Sequence, residues 1–406
     1  MLFRSNGKID RKALPAPDAP PRATIEGAAD QLETKLIEIW ESTLNVRPIA
    51  PSDNFFELGG HSVLAARIFA RMAKELDKTL PLATLFQAPT IAALATMIRK
   101  SEWKPMWSCL VPIRAAGTKP PFFFVHPIGG NVLNFSGFCS HFGPGQPIYG
   151  LQARGLDGEE APHTSIEAMA ADYIENIRRV QPDGPYYIGG FSAGGVVAFE
   201  MARQLQAMAQ PVGLLALLDT EILTFSQQTI SAEARLHHWW RMAKVNVRYA
   251  TRMSAADFIK KKSFNLKMRG KLFAWGVRER LRLEIDPSTL NAEEAFLLAF
   301  KRYVPRPYNG NATLFRAGDG AEYLDPNLGW DGIIRGRLEI REVTGDHDTI
   351  LQEPHIGMLA RLLEQCLEKA SGREFQHIPA PPAPMTGART SDLAPALFRP
   401  GLEGKP

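Results

Sequence analysis

Ser192 is the residue whose surroundings fit nucleophilic chemistry best. It lies in the segment GFSAG, residues 190–194, which follows an apolar run and precedes an amphipathic stretch. Where a strand turns sharply into a helix at a G-x-S-x-G pattern, the serine hydroxyl is exposed at the edge of a sheet. The helix N-terminus behind it offers N–H groups to a developing oxyanion. The pattern predicts a nucleophile, and the alternative is a glycine-rich structural turn.

A serine hydroxyl needs a base to become reactive, and that base is oriented by an acid. In proteins with a nucleophile of this kind, the acid follows the serine in the sequence and the histidine follows the acid. His347, in VTGDHDTIL between the last strand and the last helix, is the predicted base. We expect His355 to lie just inside that helix and to be structural. Asp219 ends the run GLLALLD and Asp319 follows ATLFRAG. Position alone leaves both open as the acid, and either could instead cap a helix or turn.

A second serine has a different setting. Ser62 lies in DNFFELGGHSVLAARI, directly after a Gly-Gly turn and at the start of a helical pattern. A phosphodiester is favoured there by unpaired N–H groups and by the helix dipole. The alternative is an ordinary serine at a helix N-cap.

The elements around these serines predict two kinds of domain. Residues 28–100 show helical periodicity in four stretches, which predicts a small four-helix bundle. From residue 118 to residue 370, short apolar runs alternate with amphipathic helices, as in a parallel sheet covered on both faces. Residues 101–117 lack a clear period and are predicted to be a linker. Residues 371–406 are rich in proline and predicted to be a disordered tail.

Composition excludes several classes of protein. The 406 residues are 45% apolar and 22% charged, and no apolar run reaches the length of a membrane span. The start has no signal-peptide core, and the three cysteines lack metal spacing, so we expect reduced thiols and a cytoplasmic location. The net charge of +4 hides a basic segment, because residues 231–282 hold 14 basic and three acidic residues. These are solvated helix faces or a surface that attracts an anionic substrate.

The block 118–370 resembles the terminal thioesterase of a nonribosomal peptide synthetase. The resemblance implies an α/β-hydrolase fold and favours Asp219 as the acid. In the segment FVHPIGG it implies that the backbone N–H of Ile128, together with that of Ala193, forms the oxyanion hole, while His126 is structural. About 90 residues separate Asp219 from the next strand, and the resemblance makes residues 221–300 or so a helical lid. Seven lid aromatics line the substrate cavity or pack the lid's own core: Trp239, Trp240, Tyr249, Phe258, Phe264, Phe273 and Trp275.

The segments upstream extend the resemblance. DNFFELGGHSVLAARI resembles the carrier-protein motif, which implies that Ser62 carries 4′-phosphopantetheine. SNGKIDRKALP resembles the end of an adenylation domain, with Lys8 at the position of a lysine that contacts the acyl-adenylate. Residues 1–22 are therefore expected to be an adenylation-domain remnant and linker.

Together these features predict a carrier–thioesterase unit that holds an acyl or peptidyl thioester and releases it through Ser192 by hydrolysis or macrocyclisation. Expected partners are upstream adenylation and condensation domains and a phosphopantetheinyl transferase. We expect a monomer with no metal, no nucleic-acid partner and no membrane association. Two alternatives remain: a stand-alone esterase or lipase-type serine hydrolase, and a carrier or docking module with an inactive hydrolase domain.

Overall fold

The structure of the chain is a computed structural model. It describes residues 31–78, 80–99, 109–133, 135–156, 160–222, 266, 268, 270–278, 280–318 and 325–372. The predicted adenylation remnant with Lys8, the alternative acid Asp319 and the predicted tail from residue 373 onward lie outside the described residues. Residues 223–265 of the predicted lid, with five of its seven aromatics, also lie outside them.

Four helices form the N-terminal part of the described chain. They are α1 (Gln31–Leu44), α2 (Ser62–Leu76), α3 (Thr84–Gln87) and α4 (Ile91–Arg99). Apolar residues three or four positions apart place one face of each long helix inward. The core they build contains Leu36 and Trp40 of α1, Ile68 and Met72 of α2, and Leu94 of α4, all fully buried. The predicted small helical bundle is confirmed.

A seven-stranded sheet forms the larger domain. Its strands are β1 (Leu110–Arg114), β2 (Phe122–Val125), β3 (Ile148–Leu151), β4 (Tyr186–Phe191), β5 (Val212–Leu218), β6 (Ala312–Ala317) and β7 (Leu338–Val343). The spatial order is β1-β3-β2-β4-β5-β6-β7. All neighbours are parallel except β1, which runs antiparallel to β3. Strands β2 to β7 lie within residues 118–370, where the sequence predicts short strands between helices.

Strand β1 differs from the expectation, because residues 110–114 fall in the predicted linker. Only one of its five residues is buried, and it contains Pro112. A half-exposed strand with a proline is tolerated at the edge of a sheet, where one row of N–H groups needs no partner. Pro112 interrupts the apolar stretch, and a proline within such a stretch argues against a strand when the sequence is read alone.

Helices cover both faces of the sheet. They are α5 (Phe135–Ser140), α6 (Ile166–Val180), α7 (Ala193–Ala207), α8 (Ala292–Arg302) and α9 (Ile356–Ser371), and Pro287–Thr289 form a 3₁₀ turn. Residues of α6, α7 and α8 share one apolar core with alternate strand residues such as Phe123 and Ile188. Residues of α5 and α9 share the other with Phe122 and Tyr187. The predicted α/β fold, with a parallel sheet covered on both faces, is confirmed.

A buried ionic cluster ties α8 to α7. The Glu200 carboxylate on α7 is 1% exposed and accepts two hydrogen bonds from Arg203, at 2.8 and 2.6 Å. The Tyr303 hydroxyl, at the end of α8, donates to the same carboxylate at 2.8 Å. Burial raises the pKa of Glu200, but the hydrogen bonds from Arg203, Gln204 and Tyr303 outweigh it, so the net pKa is lowered. A paired, ionised Glu200 therefore fastens the end of α8 to the helix that follows Ser192.

The described part of the predicted lid contains two of its aromatics. Residues 270–278 are helical. Trp275 is buried in a small cluster with Leu290 and Leu298. Of the two alternatives given for the lid aromatics, this residue therefore packs the core of the lid. Phe273 is 76% exposed. No helix in the described ranges is long and apolar enough to cross a membrane.

Candidate active site

Ser192 lies at a sharp turn between β4 and α7. Its backbone has φ 55° and ψ −129°, a conformation that costs strain in a residue with a Cβ. The turn is held because the Ser192 N–H donates to Leu218 O at 2.9 Å. A Cβ at Gly190 would lie 2.3 Å from the backbone of Gly194, so the strand and helix cross too closely for a side chain there. The strand–turn–helix predicted from GFSAG is present.

His347 lies in the loop between β7 and α9 and contacts both Ser192 and Asp219. Its Nε2 is 3.0 Å from Ser192 Oγ, and its Nδ1 is 2.6 Å from Asp219 Oδ2. The Phe191 ring stacks on the imidazole with centroids 5.0 Å apart and planes inclined by 24°. The stacking was not predicted, although Phe191 occupies the first x position of the G-x-S-x-G pattern. His355 directly precedes α9 rather than lying inside it, and its Nδ1 is 3.0 Å from Thr344 Oγ1.

Asp219 follows β5 directly and is 4% exposed. While Oδ2 faces His347, Oδ1 accepts a 2.9 Å hydrogen bond from the Ala317 N–H at the end of β6. The neighbouring parallel strand therefore fixes the orientation of the carboxylate. Asp219, one of the two acids left open by position, lies beside His347, and Asp319 is outside the described residues.

The environment of His347 sets its charge. Surrounding atoms desolvate the imidazole, which lowers its pKa, although half of the side chain remains exposed. The hydrogen bond to Asp219 and the charge of Asp219 raise the pKa, with smaller contributions from Asp348 and Glu221. The raising effects dominate, so the pKa lies above its ordinary value of 6.5. The imidazolium that forms when a base takes a proton is thereby stabilised.

The residues expected to bind an oxyanion come from two segments that touch. Ala193 is the first residue of α7, and Ile128 follows the end of β2 by three residues. A Cβ at Gly194 would lie 2.2 Å from His126 O and 2.8 Å from Val125 O. The first turn of α7 thus lies directly against the end of β2. Within the described ranges, neither the Ile128 N–H nor the Ala193 N–H donates a hydrogen bond to a protein acceptor.

His126 is completely buried beside this contact. Its Nδ1 lies 2.6 Å from Pro127 O and its Nε2 lies 2.8 Å from the Tyr173 hydroxyl. Tyr173 is fully buried on α6, 47 residues along the chain, and no sequence signal points to it. Burial lowers the pKa of His126 to about 4, so the ring is neutral near pH 7.

Ser62 is the first residue of α2, as its sequence context predicts. The preceding turn has Gly59 at φ 84°, and a Cβ at Gly60 would lie 2.4 Å from Phe55 O. His61 provides no side-chain cap, and the first turn of α2 holds no acidic residue. Uncapped N–H groups without a nearby carboxylate on the helix fit a phosphodiester at Ser62.

Comparisons with known proteins agree on both parts of the chain. The family model of the thioesterase domain matches residues 120–367, and that of the phosphopantetheine attachment site matches residues 34–98. A dimodular nonribosomal peptide synthase of Bacillus subtilis (strain 168) is 32% identical over 381 residues, covering 90% of this chain and 15% of the relative. Malpibaldin synthetase of Mortierella alpina is 33% identical over 378 residues, covering 90% of this chain and 6% of the relative.

A solved structure covers both domains as well. It is a four-domain nonribosomal peptide synthetase in its holo form, bound to AMP and glycine. It is 28% identical with a TM-score of 0.50, covering 89% of this chain and 28% of that one. The chain thus spans less than a sixth of the length of the two curated relatives.

Proposed function

Because this chain belongs to the thioesterase domain family, with a phosphopantetheine attachment domain at residues 34–98, we propose that Ser192, His347 and Asp219 are its catalytic triad. The unit releases an acyl or peptidyl group from a thioester held at Ser62. The observation that carries this proposal is the continuous alignment of Ser192 Oγ, the two imidazole nitrogens and the buried Asp219 carboxylate. Such a row supports the roles of nucleophile for Ser192, base for His347 and orienting acid for Asp219.

Ser62 would hold the cofactor at the start of α2, where the uncapped helix N-terminus accommodates the phosphate charge. When bound, 4′-phosphopantetheine supplies a thiol that carries the acyl group as a thioester. A phosphopantetheinyl transferase is the partner that modifies Ser62. Adenylation and condensation domains are the partners that supply the acyl group, as the synthetase relatives suggest. One copy of the chain contains both serines, so we propose a monomer, located in the cytoplasm.

His347 Nε2 removes the Ser192 hydroxyl proton as Oγ attacks the thioester carbonyl carbon. Asp219 fixes the proton on Nδ1 and offsets the charge of the imidazolium. The N–H groups of Ile128 and Ala193 bind the oxyanion, and His347 then gives its proton to the departing sulfur. Ser192 retains the acyl group as an ester. Water releases it as an acid, or an amine or hydroxyl of the acyl chain closes a ring.

Intact-protein mass spectrometry tests both serines. The whole chain is treated with a phosphopantetheinyl transferase and hexanoyl-coenzyme A, and the mass is followed over time. In the wild type we expect the hexanoyl-phosphopantetheine addition, then loss of the hexanoyl mass with release of hexanoic acid. Ser192→Ala should keep the hexanoyl mass. Ser62→Ala should gain no mass but still cleave the free hexanoyl-pantetheine thioester.

Ser140→Ala is the matched control, since the exposed Ser140 hydroxyl donates to Gly137 O within α5. It should load and release as the wild type does. Release by Ser192→Ala at the wild-type rate would refute the role of Ser192. A mass addition that survives Ser62→Ala would refute the attachment site. Turnover of free esters, with the loaded hexanoyl group left in place, would favour the stand-alone esterase.

A further inference from the structure

The Pro127 carbonyl and the Ile128 N–H are the two ends of one peptide group. That group is planar, and the Pro127–Ile128 bond is not among the cis peptides of the chain. In a trans peptide the C=O and N–H point in opposite directions. A contact that holds Pro127 O therefore also sets the direction in which the Ile128 N–H points.

Two groups hold the Pro127 oxygen. His126 Nδ1 lies 2.6 Å from it, and the Gly130 N–H donates to it at 2.9 Å. A carbonyl oxygen can only accept, so Nδ1 must carry the imidazole proton. The neutral ring then has its lone pair on Nε2, 2.8 Å from the Tyr173 oxygen. The single hydroxyl proton of Tyr173 is shared between this lone pair and Gln152 O, which is 3.1 Å away. Both nitrogens of His126 are thereby committed.

The imidazole has little freedom to move. His126 and Tyr173 are both fully buried, and the Phe296 ring of α8 packs edge-on against the imidazole with centroids 5.3 Å apart. The proton on Nδ1 is directed at Pro127 O by packing on several sides. The imidazole is therefore a rigid support for the peptide group that ends in the Ile128 N–H.

We propose that His126 is a positioning residue that directs the Ile128 N–H into the oxyanion hole by holding the Pro127 carbonyl. The proposal rests on the proposed function, since it assumes that Ile128 stabilises the oxyanion formed at Ser192. His126 itself contacts no reacting atom. Because the oxyanion exists only in the transition state and the intermediate, loss of this support should lower kcat and leave KM nearly unchanged.

Two substitutions separate the two hydrogen bonds of the imidazole. In His126→Asn the side-chain amide can occupy the position of Nδ1 and keep the bond to Pro127 O, while contact with Tyr173 is lost. In His126→Gln the longer side chain can reach Tyr173, while the bond to Pro127 O is lost. We expect kcat for hexanoyl-pantetheine to fall about 10- to 100-fold in His126→Gln and less than about fivefold in His126→Asn, with KM within about twofold in both.

An alkyl trifluoromethyl ketone gives an independent readout, because its adduct with a serine hydroxyl carries an oxyanion. Its inhibition constant should rise in His126→Gln by about the factor lost in kcat. The proposal is overturned if Asn and Gln lower kcat equally, or if kcat falls while affinity for the ketone stays the same. Ser192→Ala run alongside distinguishes the failures. An inactive Ser192→Ala leaves the proposed function standing, whereas an active one removes both.

A measurement on the wild-type protein needs no substitution. Nitrogen-15 NMR of the histidine side chains reports which ring nitrogen of His126 carries the proton. We expect a proton on Nδ1 and a bare Nε2 at pH 7. A neutral ring with its proton on Nε2 would leave Pro127 O without this donor, and would overturn the proposal even if the variants failed to fold.

Discussion

Replacing Gly194 by alanine tests the contact between the first turn of α7 and the end of β2, the strand that precedes Ile128. The new Cβ would lie 2.2 Å from His126 O and 2.8 Å from Val125 O, whereas real Cβ atoms essentially never approach within 3.0 Å. Both oxygens belong to the backbone, so no side chain can rotate away. The first turn of α7 and the end of β2 must then separate by roughly 0.8 Å or more, which is the difference between 3.0 Å and the 2.2 Å contact with His126 O.

Two effects on stability oppose each other in this variant. Alanine in place of a helical glycine gains up to about 1 kcal/mol, and less in the first turn. An extra carbon forced into a closed contact costs about 1–3 kcal/mol. We therefore expect the free energy of unfolding to fall by about 1–2 kcal/mol. The same separation moves the Ala193 N–H away from the Ile128 N–H, and a displacement near 1 Å at a reacting centre can cost about 10²-fold in rate.

The assay measures thiol release from hexanoyl-pantetheine, together with urea unfolding of the same preparation. We expect kcat to fall about 30- to 100-fold at a nearly unchanged KM. Gly137→Ala, in α5, is the matched control because its Cβ would come no closer than 3.9 Å to another atom. It should keep wild-type activity, with a free energy of unfolding equal to that of the wild type or up to about 1 kcal/mol higher. A Gly194→Ala enzyme with unchanged stability and with kcat within about twofold of wild type would refute the argument.

Three further predictions concern charged and polar groups. Asp219→Asn removes the hydrogen bond and the charge that raise the pKa of His347 above 6.5. The acid limb of the pH–kcat/KM profile should therefore move to lower pH, and activity should fall at least about 10²-fold. An acid limb that does not move would contradict this. Between pH 6.5 and pH 4, His126 is protonated in the unfolded chain but not in the folded chain. The free energy of unfolding should therefore fall by up to about 3 kcal/mol as the pH falls through this range. In urea titrations, His126→Asn should make the free energy of unfolding depend less steeply on pH. Tyr303→Phe removes one donor from the Glu200 carboxylate and should lower the unfolding free energy by about 1–3 kcal/mol, a loss that an unchanged urea midpoint would exclude.

The parts of this protein that could be predicted from its sequence depend on neighbours along the chain. Strands β2 to β5 contain no charged residue because helices cover both faces of the sheet, whereas the edge strand β7 contains Glu339, Arg341 and Glu342. The turn at Ser192 is specified by glycines two residues away on either side. The start of α2 at Ser62 follows a Gly-Gly turn for the same local reason. Strand β1 was not predicted, because Pro112 interrupts its short apolar run and a proline within such a run argues against a strand.

Distances between remote residues had to come from the folded chain. Position left Asp219 and Asp319 equal, and Asp219 is distinguished by a 2.6 Å contact with a histidine 128 residues away. One partner of the His126 ring is a tyrosine on α6, and nothing in the segment FVHPIGG encodes it. Periodicity reports which face of a strand or helix is buried, but not which remote side chain meets it. The sequence alone therefore determined most of the elements and the turn at Ser192. Only the tertiary structure places the Asp219 carboxylate beside His347 and the His126 imidazole beside the Pro127 carbonyl.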